Sequence, residues 1–392
     1  MKRKRLLMLL GSVCLALMLA LPLVASCGPA TPEEAAEEIA ALESKLSAEK
    51  AKSAGLEDDV ADLEAEITAL KAPGEVLEWF PATYASAGMI WDCLVHIADV
   101  ITRNSDGRIV ATATVPGAVC PVEEQLDAVA MGVTPAMFWY PGYFSGKIPI
   151  TAVSADIFYA PVNKAEAKYL YEDYEGGQII ELIRDTYANY GDIYLVGYSY
   201  VAVDGPLCSN VPIYSITDLD GVPWRSSEVR AEVLAHFGAA TIWCPGDEIY
   251  TLLATGVVDG CNYGGVPTMI GMGFHEVTKY WTKKPLTGET CAIPFCVSGT
   301  VWNGLPDDLK SIVQTAIRSS TVLGALDGQL AMADAWRQAE EYGMEIIEWS
   351  DEDCDEWYEG FRLKTQAYRT DPAVDELYTL LEPVLKEWGY WE

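Results

Sequence analysis

Basic side chains are scarce in this sequence. Its 26 Lys and Arg face 58 Asp and Glu, which gives a formal net charge of −32. Proteins that bind nucleic acid neutralise its phosphates with clusters of Lys and Arg, and the composition offers no such surplus. Nucleic acid is therefore excluded as a partner. If the chain binds a small anion, the site must be locally positive against an acidic background.

Histidines and metal-binding spacings are also few. The three histidines are His96, His236 and His275, and no Cys-x-x-Cys or Cys/His pairing has zinc spacing. No glycine-rich phosphate loop or dinucleotide fingerprint occurs. Residues 197–201 approach the nucleophile elbow of hydrolases, but Val201 stands where that motif requires glycine. No cofactor motif is left, and these absences favour a binding protein over an enzyme.

The N-terminus, by contrast, carries a clear targeting signal. A basic head at residues 2–5 precedes an almost wholly apolar run at residues 6–26, the pattern of an export signal. The run ends in Leu-Val-Ala-Ser-Cys, which is typical of a bacterial lipobox with Cys27 as the acylated residue. An uncleaved membrane helix is the alternative, since it shows the same head and run. Either way the rest lies outside the cytoplasm, and diacylation of Cys27 would anchor it to the membrane.

Eight cysteines follow the lipobox, an even number that permits disulfides in an exported chain. Cys291 and Cys296 are the only two close enough in sequence to suggest a bridge. A chain of this size can bury a core without such bridges, and buried free cysteines are common. The sequence therefore favours free thiols over this pair. The eight are Cys93, Cys120, Cys208, Cys244, Cys261, Cys291, Cys296 and Cys354.

Residues 33–71 are rich in Ala, Glu, Leu and Lys and contain no proline. Apolar residues alternate there by three and four, which predicts a parallel two-stranded coiled coil, and so a stalk and a homodimer. Glu49, Ser53 and Gly55 weaken its middle, and a single amphipathic helix packed on the domain is the alternative. The predicted seam is Ile39, Leu42, Leu46, Glu49, Ser53, Leu56, Val60, Leu63, Ile67 and Leu70.

The sequence thus predicts three parts: a signal at residues 1–27, a stalk and linker at 28–74, and a domain at 75–392. In the domain, extended segments alternate with helical ones, which predicts an α/β fold with a mainly parallel sheet. Its size suggests two lobes. We expect lobe 1 at about 75–200 and 290–325 and lobe 2 at about 201–289, with the C-terminal helices packing across both. The predicted strands are 76–80, 108–115, 240–243 and 256–259, and the predicted helices are 88–101, 122–131, 228–237, 247–255 and 306–318.

Arg225 is the strongest candidate for ligand binding. It lies between an extended segment and a helix start, with Ser226 or Ser227 as N-cap and Gly238 as terminator. A guanidinium pairs with a carboxylate through two charge-assisted hydrogen bonds, and a helix N-terminus adds partial positive charge. The local pattern alone gives equal weight to this reading and to an exposed arginine in a turn.

Several segments, in order along the chain, resemble the DctP-like solute-binding proteins of tripartite ATP-independent periplasmic (TRAP) transporters. Together they cover most of residues 75–350, and they are most similar to the subgroup that binds 2-oxo or 2-hydroxy monocarboxylates. The segments are Leu-Asp-Ala-Val (126–129) with Gly132, Gly-Tyr-Phe-Ser-Gly-Lys-Ile-Pro (142–149), Asp-Leu-Asp-Gly-Val-Pro-Trp-Arg (218–225), Gly-Asp-Glu-Ile-Tyr (246–250), Thr-Gly-Val-Val-Asp-Gly (255–260), 273–280 and Val-Trp-Asn-Gly-Leu-Pro-Asp-Asp-Leu (301–309).

The resemblance implies a type II periplasmic-binding fold, in which two α/β lobes joined by a hinge close over one small organic acid. It implies that Arg225 clamps the carboxylate and that the acid passes to the membrane subunits of a TRAP transporter. Tyr140, Tyr143 and Phe144 are expected to wall the pocket, with packing in the core as the equal alternative, and Trp224 is expected to shield the ion pair from water. Binding of a dicarboxylate or another anion, a sensory lipoprotein with the same fold, and an extracytoplasmic hydrolase on another α/β fold are the alternatives.

Three positions depart from the family pattern. After the Val-Asp-Gly element the 2-oxoacid subgroup usually has Glu then Trp, and dicarboxylate binders have Glu then Asn, whereas this chain has Asn262 then Tyr263. The subgroup also has a Gln about 21 residues before the arginine, at the position of Asp204 here. The resemblance then implies that Asp204 and Asn262 hold a Na⁺ or Ca²⁺ that bridges the ligand, because such hard cations take oxygen ligands.

Overall fold

The computed structural model describes residues 76–154, 163–202, 205–285 and 290–390, with isolated positions 41, 44, 45, 47, 48 and 52. The chain divides into two compact units, residues 1–74 and 75–392. The predicted signal, Cys27 and the seam of the predicted coiled coil lie outside the described residues. They stay predictions. Among the residues that are described, no helix is long and apolar enough to cross a membrane.

Besides a six-stranded sheet, the described part of the domain has a two-stranded and a three-stranded sheet. Strand β1 (Leu77–Trp79) pairs in parallel with β2 (Ile109–Ala111), and helix α1 (Gly88–Asn104) connects them. A second sheet has β10 (Thr290–Ser298) in its centre, antiparallel to β3 (Ala136–Phe138) on one side and to β4 (Ile193–Ala202) on the other. Strand β10 is buried along its whole length, so this sheet forms a core layer.

The larger sheet has six strands. Its parallel pairs are β6 with β7, β6 with β8, and β9 with β11, while β5 runs antiparallel to β8 and β9. In spatial order the strands are β11 (Glu345–Glu348), β9 (Tyr280–Lys284), β5 (Cys208–Ser209), β8 (Gly260–Cys261), β6 (Pro223–Arg225) and β7 (Ala240–Ile242).

The expectation of a mainly parallel sheet therefore holds for the six-stranded sheet, where three of the five strand pairs are parallel, and is wrong for the three-stranded sheet, whose two pairs are both antiparallel. Every antiparallel pair involves β5 or β10. The chain reaches these two strands by passing from one of the two larger sheets to the other, from β4 to β5 and from β9 to β10. A third passage, from β10 to β11, leads to a strand that pairs in parallel with β9, so a passage alone does not fix the direction of a strand, and its residue types do not reveal it.

Most predicted elements are found within a few residues of their expected ends. The extended segment at 256–259 is misplaced, because Gly256 adopts a left-handed conformation (φ 68°) that ends a helix, and the strand begins at Gly260. The remaining helices are α2 (Gln125–Ala130), α3 (Lys164–Lys168), α4 (Gln178–Tyr190), α5 (Glu228–His236), α6 (Gly246–Thr255), α7 (Val266–Gly271), α8 (Phe274–Val277), α9 (Gly299–Gly304), α10 (Asp307–Tyr342), α11 (Asp351–Ala367) and α12 (Pro372–Glu387).

Helix α10 is far longer than the predicted segment 306–318. It packs against β4 and α1 and ends only at Gly343, which has a φ of 100°. Gly324 lies inside the helix and does not interrupt it. The helix packs so closely on β4 at this point that a Cβ on residue 324 would come within 3.1 Å of the Tyr200 carbonyl oxygen. Tertiary packing thus overrides the low helix propensity of glycine.

Seven of the eight described cysteines are buried. Cys291 and Cys296 both lie on β10, five residues apart along one extended strand. At about 3.3 Å per residue their Cα atoms are too far apart for a disulfide, so the bridge between these two is ruled out. The tryptophans of the C-terminal third serve packing, with Trp336, Trp349 and Trp357 buried.

Gly260 is required by the large sheet. A methyl group at this position would overlap the indole ring of Trp224 on the adjacent strand. We expect Gly260→Ala to lower the free energy of unfolding by at least about 1–3 kcal/mol, the usual cost of overpacking a core. Urea unfolding followed by circular dichroism measures this. Gly304→Ala is the matched control, because a methyl group there meets nothing within 4 Å. Equal unfolding midpoints for the two variants would contradict this packing.

Candidate ligand-binding site

The candidate site begins at one edge of the large sheet. Arg225 is the last residue of β6, Cys261 is the last residue of β8, and the two are direct neighbours in this parallel pair. Parallel strands end at the same edge, where α/β proteins bind ligands. Asn262 and Tyr263 therefore leave the sheet beside Arg225. Helix α5 begins three residues after Arg225, with Ser227 at its N-cap position.

A cavity of about 40 Å³ lies at this edge. Tyr84, Tyr140 and Tyr143 reach it from the segments that follow β1 and β3, whereas Arg225 and Asn262 reach it from the large sheet. The cavity thus lies between the sheets and takes side chains from both sides. Its lining consists of Tyr84, Tyr140, Tyr143, Gly205, Arg225, Ser227, Arg230, Asn262, Tyr263, Gly264 and Cys291.

The guanidinium of Arg225 is held by backbone oxygens. Its Nε and Nη2 donate to the Cys244 carbonyl at 3.1 and 2.6 Å, and its Nη1 donates to the Asn262 carbonyl at 3.4 Å. The residue is only 1% exposed. In the described part of the chain, no carboxylate lies within ion-pair distance of it. A buried charge without a counter-ion is costly, so the site suits an anionic ligand.

Tyrosine rings surround this cation. The Cζ atom of Arg225 lies over the Tyr263 ring, 5.0 Å from the ring centroid. The Tyr263 hydroxyl donates to the Tyr84 carbonyl. The rings of Tyr84, Tyr140 and Tyr143 pack on one another with centroids 5.3 to 5.9 Å apart. Such edge and tilted contacts hold the three rings in place beside the cavity.

Burial decides the protonation states in the cavity. Desolvation raises the pKa of Tyr84 and of Tyr263 well above the usual value, so both remain neutral at neutral pH. Burial by itself lowers the pKa of Arg225, but the neighbouring Tyr143 and Tyr263 outweigh it and the net direction is upward. The cavity therefore presents a permanent positive charge beside neutral hydroxyl groups.

Asn262 supplies a further polar atom. Its side chain is 4% exposed, and its Oδ1 has no hydrogen-bond partner among the described residues. An unsatisfied buried acceptor costs about 1–3 kcal/mol. A ligand hydroxyl group or a cation would satisfy it. In the described ranges no group of three or more His, Cys, Asp or Glu side chains could hold a metal ion.

The structure brings together four of the predicted ligand-binding residues: Arg225, Asn262, Tyr263 and Tyr143. Asp204 lies outside the described residues. Trp224 does not line the cavity; it is fully buried in the hydrophobic core, because successive residues of a strand point to opposite faces. Its expected role as a shield inside the pocket is therefore corrected.

Two aromatic residues near the motif at 142–149 have different positions. Tyr140 lines the cavity, whereas Phe144 is buried against Trp139 in the core. Arg230 and Tyr84 also line the cavity, although neither was among the predicted ligand-binding residues. For Arg230 a signal existed, since it lies in the first turns of the helix that follows Arg225. Tyr84 lies in an irregular segment and offered none.

The near-elbow at residues 197–201 lies within β4. Ser199 is fully buried in the middle of that strand and accepts a hydrogen bond from the Ser320 hydroxyl at 2.8 Å. A nucleophile elbow instead exposes its serine at a sharp turn from strand to helix. Ser199 therefore has a structural position.

Comparison with known proteins identifies the family of the chain. A sequence model of the DctP family, bacterial extracellular solute-binding protein family 7, matches residues 84–371. A monocarboxylate 2-oxoacid-binding periplasmic protein from Nostoc is 24% identical over 220 residues, 56% of this chain and 59% of that protein. A solute-binding protein from Sulfitobacter is 27% identical over 141 residues, 35% of this chain and 41% of that protein. The chain thus matches less than two thirds of the length of either relative.

Solved structures show the same fold. A TRAP transporter solute-binding protein from Bordetella bronchiseptica, with calcium and picolinate, has a TM-score of 0.73 at 19% identity, covering 81% of this chain and 94% of that one. A TRAP periplasmic solute-binding protein from Pseudoalteromonas atlantica, with sodium and pyruvate, has a TM-score of 0.71 at 20% identity, covering 81% and 96%. The α/β architecture is that of TRAP solute-binding proteins, and the chain belongs to the DctP family of bacterial extracellular solute-binding proteins.

Proposed function

We propose that this protein is the extracytoplasmic receptor of a TRAP-type transporter and that it binds a small 2-oxo or 2-hydroxy monocarboxylate. The observation that carries the proposal is the buried guanidinium of Arg225, which is oriented by carbonyl oxygens and has no carboxylate partner among the described residues. A ligand carboxylate would supply the missing charge. The Nostoc relative, described as binding monocarboxylate 2-oxoacids, supports this class.

The polar groups of the cavity suit such an acid. Three of the five N–H donors of Arg225 bond to backbone carbonyls. Two donors remain for the Tyr143 hydroxyl and for the ligand. A 2-oxo or 2-hydroxy oxygen next to the carboxylate would meet the tyrosine hydroxyls or Asn262. The cavity of about 40 Å³ has room for only a few water-sized groups, which favours a short acid over a sugar.

Loading and release would follow from lobe closure. Within the domain, the cavity takes lining residues from the two larger sheets and from the connections between them. A wider cavity of about 430 Å³ shares Tyr143 and Ser227 with it and adds Trp243 to its lining. We assign it as the entrance. Ligand contacts from both sides would stabilise the closed state.

A bridging cation is part of the proposal. Asn262 Oδ1 is a buried oxygen without a hydrogen-bond partner among the described residues, and oxygen is the ligand type that Na⁺ and Ca²⁺ take, so we propose that Asn262 and Asp204 would hold such a cation. Two structures of the same fold were crystallised with calcium or sodium. By holding the cation, Asn262 and Asp204 would supply positive charge beside the carboxylate that Arg225 binds.

A dicarboxylate is the second candidate ligand. Arg230 also lines the cavity; its Nη1 donates to the Tyr140 hydroxyl and its guanidinium lies 5.6 Å from that ring. A second carboxylate would lie near this second cation. A TRAP periplasmic solute-binding protein from Rhodoferax ferrireducens has bound malonate, a dicarboxylate, which supports this second class of ligand.

The remaining parts of the chain would position the receptor. We propose that Cys27 carries the lipid anchor and that residues 33–71 form a spacer, which also dimerises, between the membrane and the domain at 75–392. The receptor would then hand its ligand to the membrane subunits of the transporter from the outer side of the cytoplasmic membrane. A sensory role would use the same parts with a different membrane partner.

A ligand screen followed by one substitution tests the carboxylate clamp. A thermal-shift panel of 2-oxo acids, 2-hydroxy acids, dicarboxylates and sugars identifies the best ligand, because a ligand that binds only the native state raises Tm. We expect Arg225→Ala to lose about 2–5 kcal/mol of binding, or at least about thirtyfold in Kd, by calorimetry.

The matched control for Arg225→Ala is Arg337→Ala. Arg337 is exposed on α10 and pairs with Asp334 and Glu341 on the surface, so its loss should leave Kd unchanged. If Arg225→Ala bound the best acid as tightly as Arg337→Ala does, the proposed clamp would be wrong.

Cation dependence is tested in the same calorimeter. With calcium chelated and sodium replaced by choline, we expect the affinity for the acid to fall at least about tenfold and to return when Ca²⁺ or Na⁺ is added. In Asn262→Ala the affinity should be lower and should no longer respond to either cation. An equal Kd in all buffers would contradict the proposed bridging cation, whereas the result for Arg225 would still stand.

A further inference from the structure

Two cysteines far apart in sequence face each other in the large sheet. Cys208 lies on β5 and Cys261 on β8, and they are direct partners in this antiparallel pair. Their Sγ atoms are 3.1 Å apart, and both residues are fully buried. Directly opposite Cα atoms of antiparallel strands lie about 4.5–5.5 Å apart, within the range of about 4.4–6.8 Å that disulfides span.

We propose that Cys208 and Cys261 form a structural disulfide in the exported protein. The sulfur atoms need to approach by only about 1 Å to reach the bond length of about 2.05 Å, while the backbone register is already suitable. The family is extracellular by description, and compartments outside the cytoplasm allow disulfides to persist.

The chemistry requires an oxidant, which we assign to the class of protein or small-molecule disulfides. The Cys208 thiolate attacks the donor disulfide and releases one donor thiol, which gives a mixed disulfide. The Cys261 thiolate then attacks the Cys208 sulfur and releases the second donor thiol. In sum, two cysteine thiols lose two electrons and two protons, and the donor disulfide gains them.

The bond must form before the sheet is fully packed. In the folded protein, burial raises the pKa of the Cys208 thiol well above its usual value, and the neighbouring Cys261 raises it further. The reactive thiolate is therefore scarce once the site is buried. The same burial would protect the finished disulfide from reductants in the native state.

The cross-link would stiffen the wall of the cavity. Strand β8 has only two residues, and Asn262 and Tyr263 follow Cys261 directly. On the other side, Gly205 of the cavity lies three residues before Cys208. A bond between β5 and β8 would tie these two segments together whatever the ligand is, so the inference rests on export of the chain and not on the proposed ligand.

Peptide mapping tests the bond in the unmodified protein. The full chain is exported to an oxidising compartment, purified, and denatured with iodoacetamide but no reductant. Trypsin and a protease that cleaves before aspartate, at Asp247 and Asp259, then separate Cys244 from Cys261. We expect one linked peptide pair containing Cys208 and Cys261, which disappears on reduction, while Cys244 is alkylated. Recovery of Cys208 and Cys261 as alkylated peptides, or paired with other cysteines, would overturn the proposal.

A stability measurement gives an independent result. The bond would close a loop of roughly 50 residues, so reduction under denaturing conditions followed by refolding in reductant should lower Tm by several degrees. The double variant Cys208→Ala/Cys261→Ala should have a Tm that does not respond to reductant. A wild-type Tm equal with and without the reduction step would contradict the bond. If the double variant fails to fold, the peptide map alone decides.

Discussion

The buried guanidinium of Arg225 constrains the rest of the site. Its charge lies in a nearly solvent-free position. Among the described residues, two backbone carbonyls and the face of Tyr263 contact it, and no carboxylate does. Carbonyl dipoles orient a guanidinium without neutralising it. Within the described residues the guanidinium therefore stays a preorganised positive charge, and the proposed complement of this charge is the carboxylate of a ligand.

The topology explains why this charge faces a cavity. Parallel pairing of β6 with β8 sends Arg225 and Asn262 to one edge of the large sheet, and the passage from β4 to β5 brings Gly205 to the same place. The tyrosines arrive from the other side, after β1 and β3. Since the cavity is completed only by residues from both sides, occupancy and closure of the lobes would be coupled.

The parts of the fold with local signals could be predicted from the sequence. Helix periodicity and caps located α5 and α6, and the place of Arg225 between a strand and a helix, with the family-like segments around it, singled it out. Features that depend on contacts between distant parts of the chain could not be predicted in this way. The direction of β5 depends on a crossing between sheets, and Cys208 meets Cys261 only through strand pairing. Trp224 was misjudged because adjacency to Arg225 in a strand means the opposite face.

The most direct test of the account keeps the protein unchanged and alters only the charge of the ligand. Calorimetric titration would compare the best 2-oxo or 2-hydroxy acid with its neutral amide, which has nearly the same shape. Because the Arg225 charge has no protein carboxylate beside it in the described part of the chain, the acid should bind at least about thirtyfold more tightly than the amide. Equal affinity for the two would show that the cavity does not select a carboxylate, and it would contradict the central claim.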